Sequence, residues 1–111
     1  MTIQTNTGPR TVWRFPIMAT GPVTIEVGTD PRIVAAANDL QGAPAVWIEH
    51  TLGEHHELLA FQLVPTGAAV PDGAVHLGMA SVPTTDGSRM MVHLYRLLTD
   101  VACPDTVPDD L

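Results

Sequence analysis

The chain has 111 residues with five arginines, no lysine and twelve acidic side chains, for a formal charge of −7. The length fits one domain with a core of its own, and the charge excludes the basic stripe that nucleic acid requires, since residues 11–98 also hold four arginines against eight acids. No run approaches the roughly 20 apolar residues that cross a bilayer, so no membrane contact is expected.

Residues 1–10 are polar, contain Gly8-Pro9 and predict a flexible N-terminal arm. They also lack the basic and apolar regions of a secretory signal. Residues 12–17 alternate and predict an edge strand, because Pro16 cannot donate to a ladder. In Val23-Thr24-Ile25-Glu26-Val27 the apolar and polar residues alternate, as a half-buried strand requires. Asp30-Pro31 resembles a helix start, but the turn cluster Asn38-Asp39-Leu40-Gln41-Gly42 follows too soon, so residues 33–37 are read as a strand.

Two hairpins come next. The first runs along residues 45–52, turns at Gly53-Glu54 with glycine in the position that suits a type II′ turn, and returns along residues 55–64. Residues 66–73, with two glycines, a proline and an aspartate, are a loop. The second hairpin runs along residues 75–82, turns at Asp86-Gly87, a type I′ signal, and returns along residues 89–95. Residues 90–101 also fit helical spacing, but the turn and the partner strand favour a strand through Tyr95. Residues 100–111 form an acidic tail that carries the single cysteine, Cys103, so no internal disulfide exists.

Turn position predicts register. In the first hairpin Val46 would pair with Phe61, Ile48 with Leu59 and His50 with Glu57, giving a core face of Val46, Ile48, Leu59, Phe61 and Leu63. In the second, Leu77, Met79, Met90, Val92 and Leu94 share the core face. The reverse face then carries His76, Gly78, Ala80, His93, Tyr95 and Leu97, with Tyr95 opposite Gly78 as an aromatic covering a strand glycine. Trp47, Leu58, Ala60 and Val64 fall on the outer face of the first hairpin and need cover from the N-terminal strand, the tail or another subunit.

These elements resemble a family of small proteins of tailed phages and prophages, actinobacteriophage-like, built on a domain of unknown function. The residues that carry the resemblance are Trp13, Phe15 and Pro16 on the first strand and Ile25-Glu26-Val27 on the second. Asn38 and Gln41-Gly42-Ala43-Pro44 then lead into Val46-Trp47-Ile48. Phe61-Gln62-Leu63-Val64-Pro65-Thr66-Gly67, Leu77-Gly78 and Val92-His93-Leu94-Tyr95 complete it. The resemblance implies a shared fold and a viral setting in the host cytoplasm or virion. It brings no activity or cofactor. The acidic tail and Glu54-His55-His56-Glu57 depart from the family pattern.

Candidate chemistry is sparse. His50, His55, His56, Glu49, Glu54 and Glu57 gather at the first hairpin's turn and include zinc- and nickel-ligating types. Adjacent strand residues point to opposite faces, however, so a solvated turn is expected rather than a metal site. His76, His93 and Tyr95 share one face and could hold a ligand, although His76 and His93 are not directly paired in this register. Ser81, Ser88 and Cys103 lack the context of an activated nucleophile, and the glycines lack a phosphate-cradling motif.

The sequence therefore predicts an all-β domain over residues 11–99, a compact antiparallel sandwich or partly closed barrel of six or seven strands. It is not expected to be an enzyme or to carry a cofactor or metal. The expected role is that of a phage accessory protein acting through protein–protein contacts. Its expected partners are itself, as a homo-oligomer such as a head-decoration component, and other viral or host proteins. An early protein that binds a host factor or sequesters a small signalling molecule is the alternative. The expected interaction face is Trp47, Leu58, Ala60, Val64, His76, His93, Tyr95 and Leu97.

Overall fold

The computed structural model describes residues 6–18 and 20–98. Seven strands form two antiparallel sheets, and there is no helix among the described residues: β1 (Arg10–Pro16), β2 (Val23–Val27), β3 (Thr29–Asn38), β4 (Pro44–Thr51), β5 (Glu57–Pro65), β6 (Val75–Pro83) and β7 (Arg89–Leu97). The three-stranded sheet has the order β1-β4-β3 and the four-stranded sheet the order β2-β5-β7-β6. The all-β expectation stands. Residues 1–5 of the expected arm lie outside the described residues; Arg10 already begins β1, and Gly8 and Pro9 before it are tied down by backbone bonds from Gly8 to Leu52 and from Leu52 to Pro9. The acidic tail and Cys103 lie outside the described residues.

The strands follow from alternation. Val46 and Ile48 of β4 turn inward onto Leu59, Phe61 and Leu63 of β5, with Val92 and Leu94 of β7, Ala80 of β6, Val27 of β2 and Ile17 completing the core. Two sheets packed face to face bury one side of each strand in this way. Asp30-Pro31 starts no helix. Asp30 takes a left-handed φ of 54°, and the β3–β4 register shifts between Thr29 and Arg32. The dipeptide marks a β-bulge inside a strand longer than expected.

The first hairpin does not form. β4 has both edges occupied, by β1 and β3, and β5 pairs with β2 and β7. Residues 52–56 instead carry the chain from one sheet to the other. The core set read for that hairpin is buried all the same, because its two halves meet across the sandwich rather than along one surface. Asn6 pins the crossing: its side chain accepts from the His55 N–H at 2.8 Å and donates to the carbonyls of Thr51 at 3.0 Å and His55 at 2.7 Å.

The second hairpin forms with its register one residue away from expectation. Ala80 lies opposite Val92, Val82 opposite Met90 and Gly78 opposite Leu94. The cause is the turn. Asp86 accepts hydrogen bonds from the Thr84 hydroxyl and from the N–H and hydroxyl of Ser88, and Gly87 alone takes the left-handed φ, so five residues rather than two make the connection. These hydrogen bonds, that of Thr84 first, hold the Asp86 carboxyl far below the usual carboxylate range. Ala80 is consequently core, whereas Met79 is 49 % exposed and Met90 39 %. Tyr95 sits opposite His76, not Gly78. Gly78 instead makes room for the other sheet, since a Cβ there would run into the Ala36 carbonyl of β3.

That close approach joins the sheets on one side. Asn38 at the end of β3 donates to the Ser81 carbonyl and accepts from the Ser81 N–H, both at 2.9 Å, as a strand neighbour would. The sandwich is not closed into a barrel. On the other side, between the edge strands β1 and β2, a cleft of about 400 Å³ opens, lined by Trp13, Glu26, Val27, Gly28, His50, Leu52, Gly53 and His56.

Candidate interaction face

The outer face of the four-stranded sheet gathers most of the expected site. Register places Gln62, Tyr95 and His76 in one row, Val64, His93 and Met79 in the next, and Thr24, Ala60 and Leu97 in a third, with Leu58 opposite Glu26 at one corner. A β-bulge between His76 and Gly78 turns His76 back to this face despite the shifted register. Formal charges stand only at the margins. Glu26 lies on the edge strand β2, and Arg89 folds over the β6 edge to donate to the Ser81 hydroxyl at 2.7 Å and the Gly42 carbonyl at 2.9 Å. The outer face of the other sheet is the ionic one. There Arg10 donates to Glu49 at 3.0 Å, Arg14 donates to Asp39 at 2.7 Å, and Arg32 lies opposite Glu49.

A chain of polar contacts crosses the uncharged face. The Thr66 hydroxyl lies 3.1 Å from His93 Nε2, and His93 Nδ1 lies 3.0 Å from His76 Nε2. The His76 ring meets Tyr95 edge-on, with centroids 5.1 Å apart. The sequence reading placed these three on one face but left the histidines unpaired; the bulge is what joins them. Thr66 enters the sequence pattern only as part of the Thr66-Gly67 step, and its contact with His93 has no local signal until the fold closes. Met79 was missed through the register shift.

Not every expected residue is available. Ala60, Val64 and Leu97 belong to this face but are buried within the chain, so they support it from beneath rather than contact a partner. Met79 and Met91 are the accessible apolar side chains beside the histidines, and Leu58, 50 % exposed, stands at the corner opposite Glu26. Trp47 is a correction: it lies on the opposite side of the molecule, on the outer face of the three-stranded sheet opposite Arg14, and cannot share a surface with Leu58.

The turn cluster is dispersed. His50 points inward and is fully buried, rather than facing Glu57. His56 pairs with Glu26 at 3.2 Å, Glu49 is bound by Arg10, and Glu57 accepts from the Asp30 N–H at 3.2 Å. Among the described residues no three His, Cys, Asp or Glu side chains are grouped to hold a metal ion. The Ser81 hydroxyl is bound by Arg89, and that of Ser88 by Asp86. Neither serine has a hydrogen bond to a histidine among those of the described residues.

A model of one protein family, described as a domain of unknown function (DUF7352), matches residues 9–102. No curated protein and no solved structure matches the chain. The matched stretch holds all seven strands, the seam at Gly78 and both face histidines. The chain therefore belongs to the DUF7352 family.

Proposed function

We propose that this protein is a non-enzymatic accessory module that associates with a second copy of itself through the outer face of its four-stranded sheet. The observation that carries this reading is the distribution of charge. On a chain of formal charge −7, the centre of that face bears none, while methionine, tyrosine and histidine occupy it. Interface centres are depleted of charge and enriched in aromatic residues and methionine, and an uncharged patch can meet its own copy without repulsion. The resemblance to phage proteins supports a role as a virion component, such as a head-decoration protein, or as an early protein in the host cytoplasm. The partners would then be its own copies and other viral or host proteins.

Light scattering checks the reading. Wild type should run above its 11.8 kDa monomer mass, and Leu58→Asp and Met79→Asp, both at exposed positions, should give folded monomers. A monomeric wild type would overturn self-association. It would favour instead a binder of a host factor or small signalling molecule, for which the cleft beside Trp13 and His56 offers a receptacle of about 400 Å³.

A further inference from the structure

We propose that His76 and His93 form half of a divalent transition-metal site, which two copies of the chain complete across the uncharged face. The inference rests on the self-association reading and deepens it by naming what joins the copies.

The facing nitrogens, His76 Nε2 and His93 Nδ1, are 3.0 Å apart. Metal–imidazole bonds of about 2.0–2.1 Å to both would subtend an angle of about 95°. That spacing suits two neighbouring positions of a square-planar copper or nickel ion once both rings, which meet nearly end to end with centroids 5.2 Å apart, turn to aim their lone pairs at it. A tetrahedral zinc ion would need the pair to open by a few tenths of an ångström, and exposed His76 has room to swing. The neighbours are arranged as ligand supports. With Thr66 Oγ1 accepting from His93 Nε2–H, the His93 Nδ1 lone pair faces His76, as the outer partner of a metal-bound imidazole arranges it. Tyr95 buttresses the His76 ring. Neutral His76 frees Nε2 by carrying its proton on Nδ1, so the metal takes the place of the hydrogen bond between the rings and no net proton is lost.

One copy cannot complete the site. Among the described residues no third His, Cys, Asp or Glu joins the pair, and two nitrogens leave half of a four-coordinate shell vacant. A two-fold axis through the face sets the same pair opposite, so four imidazoles enclose one ion. A dication on the axis also offsets the repulsion between two chains of formal charge −7.

The test is calorimetric titration with zinc and with nickel chloride, read beside light-scattering mass in chelator and in metal. The expected result is one ion per two chains and a dimer that chelator weakens. His76→Ala, His76→Gln and His93→Ala should abolish binding with an unchanged circular dichroism spectrum. Thr66→Val should weaken binding by about 10–100-fold, and His55→Ala and His56→Ala should leave it unchanged. One ion per chain, binding that survives His93→Ala, or binding lost in the His55 and His56 variants would overturn the site. A dimer that takes up no metal and is dissociated by Leu58→Asp would overturn the metal site and leave self-association standing. A monomer in both chelator and metal would overturn both.

Discussion

Phe61→Ala should cost about 3–5 kcal/mol, the range for removing a buried aromatic ring whose surroundings cannot collapse onto the space. Phe61 is 0 % exposed and is the largest fully buried side chain. It lies on β5 between Val23 of β2 and Arg96 of β7, with its side chain turned to the other sheet. Loss of the ring would therefore loosen both sheets, in a domain whose whole stability is about 5–15 kcal/mol. Val92→Ala removes less volume at an equally buried position and should cost less than the phenylalanine variant. By contrast, His55→Ala and His56→Ala should each stay within roughly half a kcal/mol. His55 is exposed, and the contact of His56 with Glu26 is open to water on both sides. Urea melts would read the series, with a shifted midpoint and unchanged slope expected for Phe61→Ala. Reversed magnitudes would mean that the inward face of β5 is wrongly assigned.

That face was legible in the sequence, and its partner was not. Alternation in β4 and β5 tells which residues turn to the dry side, because side chains in a strand repeat every second residue. It does not tell what lies across from them. Val46 and Phe61 would be buried together as cross-strand neighbours in a hairpin or as facing residues in a sandwich, so the same set predicted a wrong connection. The deciding contact is distant in sequence: Asn6 reaches residues 51 and 55 and holds the crossing open. In the second hairpin the error was smaller and has a local cause. An Asp-Gly pair ordinarily signals a two-residue turn, but Thr84 and Ser88 flank it and their hydroxyls bind the same carboxylate, which enlarges the loop. The bulge before Gly78 then restores the alignment for His76, so the histidines of the candidate site were placed on the right face. Met79 was not, because it lies on the turn side of that bulge.

Acid should destabilise this fold through His50. The ring is fully buried, with Trp13 edge-to-face at a centroid distance of 4.7 Å, and its Nδ1 accepts from the Gly28 N–H at 2.7 Å. That bond leaves the ring's proton on Nε2, which is buried without a hydrogen-bond partner, and a charged ring would set a second N–H on Nδ1 against the Gly28 donor. Burial, and secondarily the positive charge of Arg10, push the pKa of His50 below the ordinary histidine value of 6.5. The sign follows from linkage. Above pH 6.5 neither the folded nor the unfolded chain protonates this residue, and it adds no pH dependence. Below 6.5 the unfolded chain takes up the proton first, so stability falls with pH until the folded-state pKa is passed and then levels off. Urea melts between pH 8 and 4.5 should show this loss in wild type. The curve of His50→Gln should start lower, because the imidazole packing is gone, and fall less steeply on acidification. The difference between the curves isolates His50, since the other four histidines and the carboxylates are common to both proteins. Equal slopes would mean that His50 is protonated as readily in the folded chain as in the unfolded one. The cleft between β1 and β2 would then have to admit enough water to solvate the ring.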